Sequence, residues 1–280
     1  IVASKSFDNS VLCTNESVLI TVPDIENNLR MALKANKAHV CSEDETDSLR
    51  KFLFHSGGFN IEAIGRDANW IAKECGIRLT TETKVLITPI SQIGVEEVLS
   101  KEKLCPVLAF HVANDRKQAF AQARAILRLS GAGHSAAIHA EDEDLILEYS
   151  TQVEVYRVVV NAPSSQGAAG LDTNLAPTFT VGTGYFGRSS IGDNIGPQHL
   201  VHWTKVAYNR DEKVKFGNYH EIDRDFPGPL PEAKVGGFKD LSEEGSPKMI
   251  KNKRDESAVR SEIRKLISEE LRSFLGKKNG

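Results

Sequence analysis

Over its first two hundred or so residues the chain switches repeatedly between two hydrophobic periods, and this constrains the fold more than any other feature. Short apolar runs bounded by turn residues read as buried strands: VLITVP (18–23), KVLITPI (84–90), PVLAFHV (106–112), AAIHA (136–140) and YRVVVN (156–161). Between them lie stretches with apolar residues at helical spacing: DIENNLRMALKAN (24–36), EDETDSLRKFLF (43–54) and NDRKQAFAQARAILRLS (114–130). The last is expected to start on Asn114 as N-cap and to stop at Gly131. Strands alternating with helices predict an α/β fold with a mainly parallel sheet flanked by helices.

The pattern stops near residue 210. Residues 211–254 are rich in Pro, Gly and charge, which predicts a flexible linker. Beyond it Val259, Ile263, Leu266, Ile267, Leu271 and Phe274 fall on one helical face opposite Arg, Lys and Glu, so 255–275 reads as an amphipathic helix. Leaving that stripe in water is costly, and a linker of this length exceeds the usual connection between packed elements. Docking on its own domain, a membrane surface or a partner's groove are the open fates. The mixed charge and lack of Trp disfavour the membrane.

Bulk properties remove several function classes. A net charge of −3 and a pI near 6.3 argue against a nucleic-acid surface. No apolar run reaches the ~18 residues of a membrane span, and the opening IVASKSF is not a signal peptide. Cys13, Cys41, Cys75 and Cys105 show no CxxC pairing, so no metal is expected and the simplest location is the cytoplasm, with reduced thiols.

Cys13 stands between the turn-forming Asp8-Asn9-Ser10 and an apolar strand. A cysteine there is either core filler or an exposed nucleophile beside backbone N–H donors, the pairing that acyl chemistry uses. The tract SKSFDNSVLCTNESVLI (4–20) resembles the catalytic-cysteine tract of the CoA-acylating aldehyde dehydrogenases, in the aldehyde dehydrogenase superfamily. Hydrolytic members usually carry a Gly-Gln pair shortly before the cysteine, where Ser10-Val11 and Leu12 stand here. Further stretches follow in the family's order. FHSGGFNIEAIGRDANWIAKECGI (54–77) contains an N-x-x-x-x-G core, and EKLCPVLAF (102–110) resembles the E-x-x-x-P-V element. GAGHSAAIHA (131–140), VNAPSSQGAAG (160–170) and GRSSIGDNIGPQHLVHWTKVAYN (187–209) complete the set.

The resemblance covers residues 1 to about 209 and implies roles that composition does not. Cys13 would be the nucleophile. Glu102, four residues before Pro106, would accept hydrogen bonds from the nicotinamide ribose; on its own it reads as a solvated charge. His134 would touch CoA or tune the thiol, although Gly131 and Gly133 also suit a plain helix end. His139 reads as packing within a strand. Pro163, Ser164 and Ser165 would line the substrate pocket, and Arg188 would meet an anionic group, its plain reading being a solvated arginine. GTGYFGRSS (182–190) lacks the GK[ST] of a phosphate loop.

The family's dinucleotide-binding domain precedes the cysteine, and this chain is expected to lack it, with no room for it, no G-x-G-x-x-G following a strand and no early βαβ unit with an acidic ribose ligand. Residues 1–210 are therefore expected to be the catalytic half of an enzyme making acyl-CoA from an aldehyde, CoA and NAD(P)+, inactive alone. The alternatives are a hydrolytic aldehyde dehydrogenase and an isolated oligomerisation or targeting module. The resemblance also implies a homo-oligomer, a dimer or larger, through a late strand at about 200–208. It further implies that 255–275 binds a bacterial-microcompartment shell protein.

Overall fold

The computed structural model describes residues 1–55, 58–205, 207 and 209–211. The expected linker beyond Asp211 and the helix 255–275 lie outside the described residues. Residues 1–204 form one compact unit.

The chain opens with α1 (Val2–Ser6), passes through a turn carrying Cys13, and enters β1 (Val18–Thr21). Then come α2 (Pro23–Ala35), β2 (Ala38–Val40), α3 (Glu43–Leu53), the two-residue strands β3 (Phe54–His55) and β4 (Gly58–Phe59), and α4 (Ala68–Glu74). β5 (Val85–Pro89) and β6 (Val107–Val112) complete a parallel four-stranded sheet in the order β1-β6-β5-β2. A second, two-stranded parallel sheet holds β7 (Gly133–Ile138) and β8 (Val155–Val160), entered through α5 (Arg116–Leu129) and joined by α6 (Glu143–Gln152). A short α7 (Ser164–Ala168) follows β8.

Why β5 and β6 take the centre is plain in their composition. A strand covered on both faces must be apolar on both. Leu86 and Val107 join Leu49, Leu53, Ile71 and Leu99 in a core with α3 and α4. Their neighbours Val85, Ile87, Leu108 and Phe110 point the other way, onto Leu33 and Leu29 of α2. The sheet thus lies between two helical layers. Phe120, Leu127, Tyr149 and Val153 of α5, α6 and the turn after it pack against Ala136 and Val158 of the smaller sheet.

Helix starts follow side-chain oxygens. Ser42 caps α3 by accepting from Glu45 N at 3.2 Å, while Glu45 accepts from Ser42 N at 2.8 Å. α5 starts one residue later than expected, because the Asp115 carboxylate accepts from Gln118 N at 2.7 Å. Asn114 instead donates its own N–H to Gln118 Oε1 at 2.6 Å. The glycine tract after α5 also divides differently. Gly131 turns the chain at φ 119°, and Gly133, His134 and Ser135 already belong to β7. His139 falls just past the end of β7 rather than inside it. Of the expected late strand at 200–208, residues Leu200–Lys205 and Ala207 pair with no strand among the described residues, and Val206 and Tyr208 lie outside them.

Candidate active site

Three consecutive left-handed residues shape the cysteine turn: Asp8 (φ 48°), Asn9 (φ 48°) and Ser10 (φ 64°). Asp and Asn tolerate this region better than most residues. Cross-links from the rest of the unit hold the strained turn. Asn9 Nδ2 donates to Gly65 O at 3.0 Å, and Asn15 Nδ2 donates to Ser4 O at 2.6 Å and Phe7 O at 3.2 Å. Gly65 closes the N-x-x-x-x-G core at φ 69°, and its N–H donates to Leu104 O at 3.1 Å, tying the turn to the tract around Glu102.

Ser165, expected in the substrate pocket, is fully buried beneath this turn. Its N–H donates to Ser4 Oγ at 2.9 Å, and its carbonyl accepts from Thr14 Oγ1 at 3.0 Å. It therefore holds the residue next to Cys13 and does not line the cavity. Pro163 is the N-cap of α7. Ser164 donates its N–H to Glu16 Oε1 at 3.3 Å.

Cys13 is exposed and stands at a cavity of about 580 Å³. β1 and β7 line this cavity together with α2 and α5. Each strand is hydrogen-bonded to a neighbour on one side only, β1 to β6 and β7 to β8. Apolar side chains form the floor, among them Leu19, Leu29, Phe120 and Leu127, and Glu16, Glu102, His134 and Ser164 share the lining. Four of the seven residues picked out in the sequence, Cys13, Glu102, His134 and Ser164, thus meet in one concavity. Arg188 does not. It sits exposed at φ 58° on the outer turn of a hairpin closed by the bridge Val181↔Asn194. The glycine N–H groups of that hairpin are spent internally, Gly182 on Asp193 O and Gly184 on Ile191 O, both at 2.8 Å.

The electrostatics around the sulfur are opposed. Partial desolvation by the cavity walls pushes the Cys13 thiol up, and the Glu102 carboxylate adds to this. Its own backbone N–H and the Arg157 guanidinium pull it down, and the balance is a raised pKa. The thiolate is the attacking form of a cysteine, so a base beside this sulfur assists the attack. Burial first and then Arg157 push the His134 ring below its ordinary range. Its Nδ1 lies 2.9 Å from Ser135 Oγ, and its buried Nε2 has no partner.

Two buried cations stabilise the tract that carries Glu102. Lys103 Nζ donates to Leu99 O at 2.6 Å and Lys101 O at 2.8 Å, and Lys5 Nζ donates to Lys103 O at 3.1 Å. Burial lowers them to about 7 and about 8 respectively. Neither Lys5 nor Arg157 is singled out by a sequence motif. A charged residue inside the run VYRVVV is the only hint of Arg157.

Among the described residues one group of metal-ligand type, His39 Nε2, Cys41 Sγ and a Glu45 oxygen, lies within 4.8 Å. Glu45 Oε2 is occupied by Ser42 N at 2.8 Å and lies 3.0 Å from His39 Nε2, so the capping arrangement accounts for the cluster.

No family model matches the sequence. The aldehyde-alcohol dehydrogenase of Clostridium acetobutylicum is 33% identical over 227 residues, covering 79% of this chain and 26% of that protein. The acetylating succinate-semialdehyde dehydrogenase of Clostridium kluyveri is 31% identical over 224 residues, covering 79% of this chain and 49% of that one. The chain is a relative of the acylating aldehyde dehydrogenases. The crystal structure of an acetylating aldehyde dehydrogenase from Geobacillus thermoglucosidasius superimposes with a TM-score of 0.69 at 30% identity, over 75% of this chain and 47% of that one. The mainly parallel sheet with flanking helices is the fold of that acylating enzyme. The chain spans between about a quarter and a half of the length of these relatives. No helix among the described residues is long and apolar enough to cross a membrane.

Proposed function

We propose that residues 1–210 form the cysteine-bearing half of a CoA-acylating aldehyde dehydrogenase. The observation that carries this reading is the exposed Cys13 at the mouth of a cavity shared with Glu102 and His134, in a chain related to acetylating enzymes. After losing its proton, Cys13 attacks the aldehyde carbon and forms a thiohemiacetal. Bound NAD(P)+ would supply the acceptor for the hydride that the thiohemiacetal carbon releases, which leaves an acyl thioester on Cys13. The exposed Glu102 carboxylate at the cavity suits the two vicinal hydroxyls of a ribose, because it accepts two hydrogen bonds at once. The thiol of CoA then attacks the thioester carbonyl, the carbon–sulfur bond to Cys13 breaks, and acyl-CoA leaves. His134, pushed towards its uncharged form by burial and with a ring nitrogen that has no partner among the described residues, is suited to take the proton of the incoming thiol.

The test is product analysis with the full-length protein, an aldehyde and NAD(P)+. Acyl-CoA formed only when CoA is present supports the reading, and free acid formed at the same rate without CoA replaces it with hydrolytic oxidation.

Assembly belongs to the same proposal. The exposed apolar side chains of Leu200, Val201 and Trp203 support an interface between copies through the segment 200–208. The tail 255–275, by its amphipathic sequence, is proposed to bind a microcompartment shell protein. A fluorescent protein fused to it that stays diffuse in shell-producing cells and never co-purifies with shells would remove that part.

A further inference from the structure

Arg157 stands in the middle of β8, and only 3% of it is exposed. A charge taken out of water is costly unless it is bonded or paired. Among the described residues no carboxylate bonds the guanidinium. Nη1 donates to Gly192 O at 2.7 Å and Asn194 Oδ1 at 3.2 Å, and Nη2 donates to Gly133 O at 3.3 Å and to Gly182 O. Nε is buried without a partner. Three of these contacts close the hairpin that runs from Gly182 to Asn194. The fourth is made to the residue just before His134.

We propose that Arg157 is a positioning residue of the cysteine site: it fastens the Gly182–Asn194 hairpin to the start of β7, so fixing His134, and its charge, hydrogen-bonded to neutral groups, favours the Cys13 thiolate against Glu102. The inference rests on the reading of Cys13 as the nucleophile. Two features support it beyond the hydrogen bonds. Gly133 leaves no room for adjustment, since a Cβ on it would collide with the Thr183 carbonyl, so the Arg157 anchor and the hairpin meet at a fixed point. The charge of Arg157 also acts on both Cys13 and His134, lowering each. The titratable groups bearing on the sulfur are Glu102 of the 98–103 tract and Arg157 of β8. Glu16 of the cysteine turn, His134 of β7 and His139 beyond it line the same cavity. Asp193, exposed on the hairpin, is the counter-charge that acts on Arg157.

The experiment titrates Cys13 directly in the 280-residue chain. Alkylation by iodoacetamide is followed against pH and read at the Cys13 peptide by mass spectrometry. It needs neither aldehyde, CoA nor nicotinamide, so it fails or succeeds independently of the proposed reaction. Arg157→Met should move the alkylation midpoint up by about half a unit to one unit, the size expected for losing one nearby opposite charge. Arg157→Lys, which keeps the charge but not the fork of donors, should bring the midpoint most of the way back. Asp193→Asn, a surface change, should lower it by about a few tenths of a unit. A purely structural arginine would give equal losses for Met and Lys and no response to Asp193→Asn. An unchanged midpoint in folded Arg157→Met overturns the proposal. If that variant does not fold, an unchanged midpoint in folded Arg157→Gln overturns it instead.

Discussion

The four-stranded sheet and the β7–β8 sheet are built from the same kinds of segment, yet they are held by different forces. In the first, Val85, Leu86, Ile87, Val107, Leu108 and Phe110 are almost wholly buried, sealed by helices on both faces. In the second, most of β7 is only partly buried and β8 alternates, with Tyr156 and Val160 exposed. Its hairpin carries Tyr185 and Phe186 on the surface and is fastened by Arg157 and by glycines that admit close backbone contact. The difference teaches where adjustment can occur. Dispersion and the hydrophobic effect are spread over many contacts in the larger sheet, whereas a few hydrogen bonds decide the geometry of the smaller one. Cys13 sits beside the cavity lined by both, with strand β1 of the larger sheet on one side and strand β7 of the smaller on the other.

The largest expected effect breaks the function without touching either region. Cys13→Ala in the full-length protein is expected to abolish acyl-CoA formation and acyl-enzyme labelling while circular dichroism stays unchanged. Residual turnover at the wild-type rate would remove Cys13 from the chemistry.

Next, the packing contrast itself can be broken. Leu86→Ala, in the sealed sheet, should cost about 2–5 kcal/mol in denaturant unfolding. Tyr185→Ala, 83% exposed on the hairpin, should stay within about 0.5 kcal/mol. Comparable costs for the two would mean that the hairpin is packed as tightly as the core.

A smaller effect comes from pH. Lys103 and Lys5 have folded pKa values of about 7 and about 8, below their ordinary 10.5. Between those limits the unfolded chain binds more protons than the folded one, so stability rises with pH. The gain begins near pH 7 and reaches about 1.4 kcal/mol per pH unit per proton. It is opposed above pH 9, where unfolded Cys75 ionises while burial holds the folded thiol at about 12. Denaturant midpoints from pH 7 to 8.5 should climb, and Lys103→Met should flatten the climb. A falling midpoint over that range in the wild type would contradict the burial of these ammonium groups.

The smallest effect sharpens the comparison by holding packing constant. Ser42→Ala removes the cap of α3 beside the larger sheet, and Asp142→Ala removes the cap of α6 beside the smaller. Each should cost about 1 kcal/mol. Equal losses would confine the contrast between the regions to packing, and a much larger loss at Asp142 would show that the smaller sheet depends on local bonds throughout.

The sequence by itself determined the succession of elements and the chemistry available to the site. The apolar runs at 18–23, 84–90, 106–112 and 156–161 became β1, β5, β6 and β8, because backbone period and side-chain burial act over a few neighbours. The starts of α2, α3 and α5 were legible to within one residue, since a cap is a contact between near neighbours, whereas α4 and α6 were not read as helices. β2 passed unnoticed, because Ala38-His39-Val40 is too short to show a period. Only the tertiary structure decided which of the marked residues meet. Glu102, His134 and Ser164 reach the cavity of Cys13, Ser165 turns inward to hold Thr14, and Arg188 is left on an outer turn. Arg157 emerged from packing alone. Its partners at 133, 182, 192 and 194 are distant in the chain, and neither period nor spacing encodes a contact that exists only once two strands and a hairpin have closed around one guanidinium.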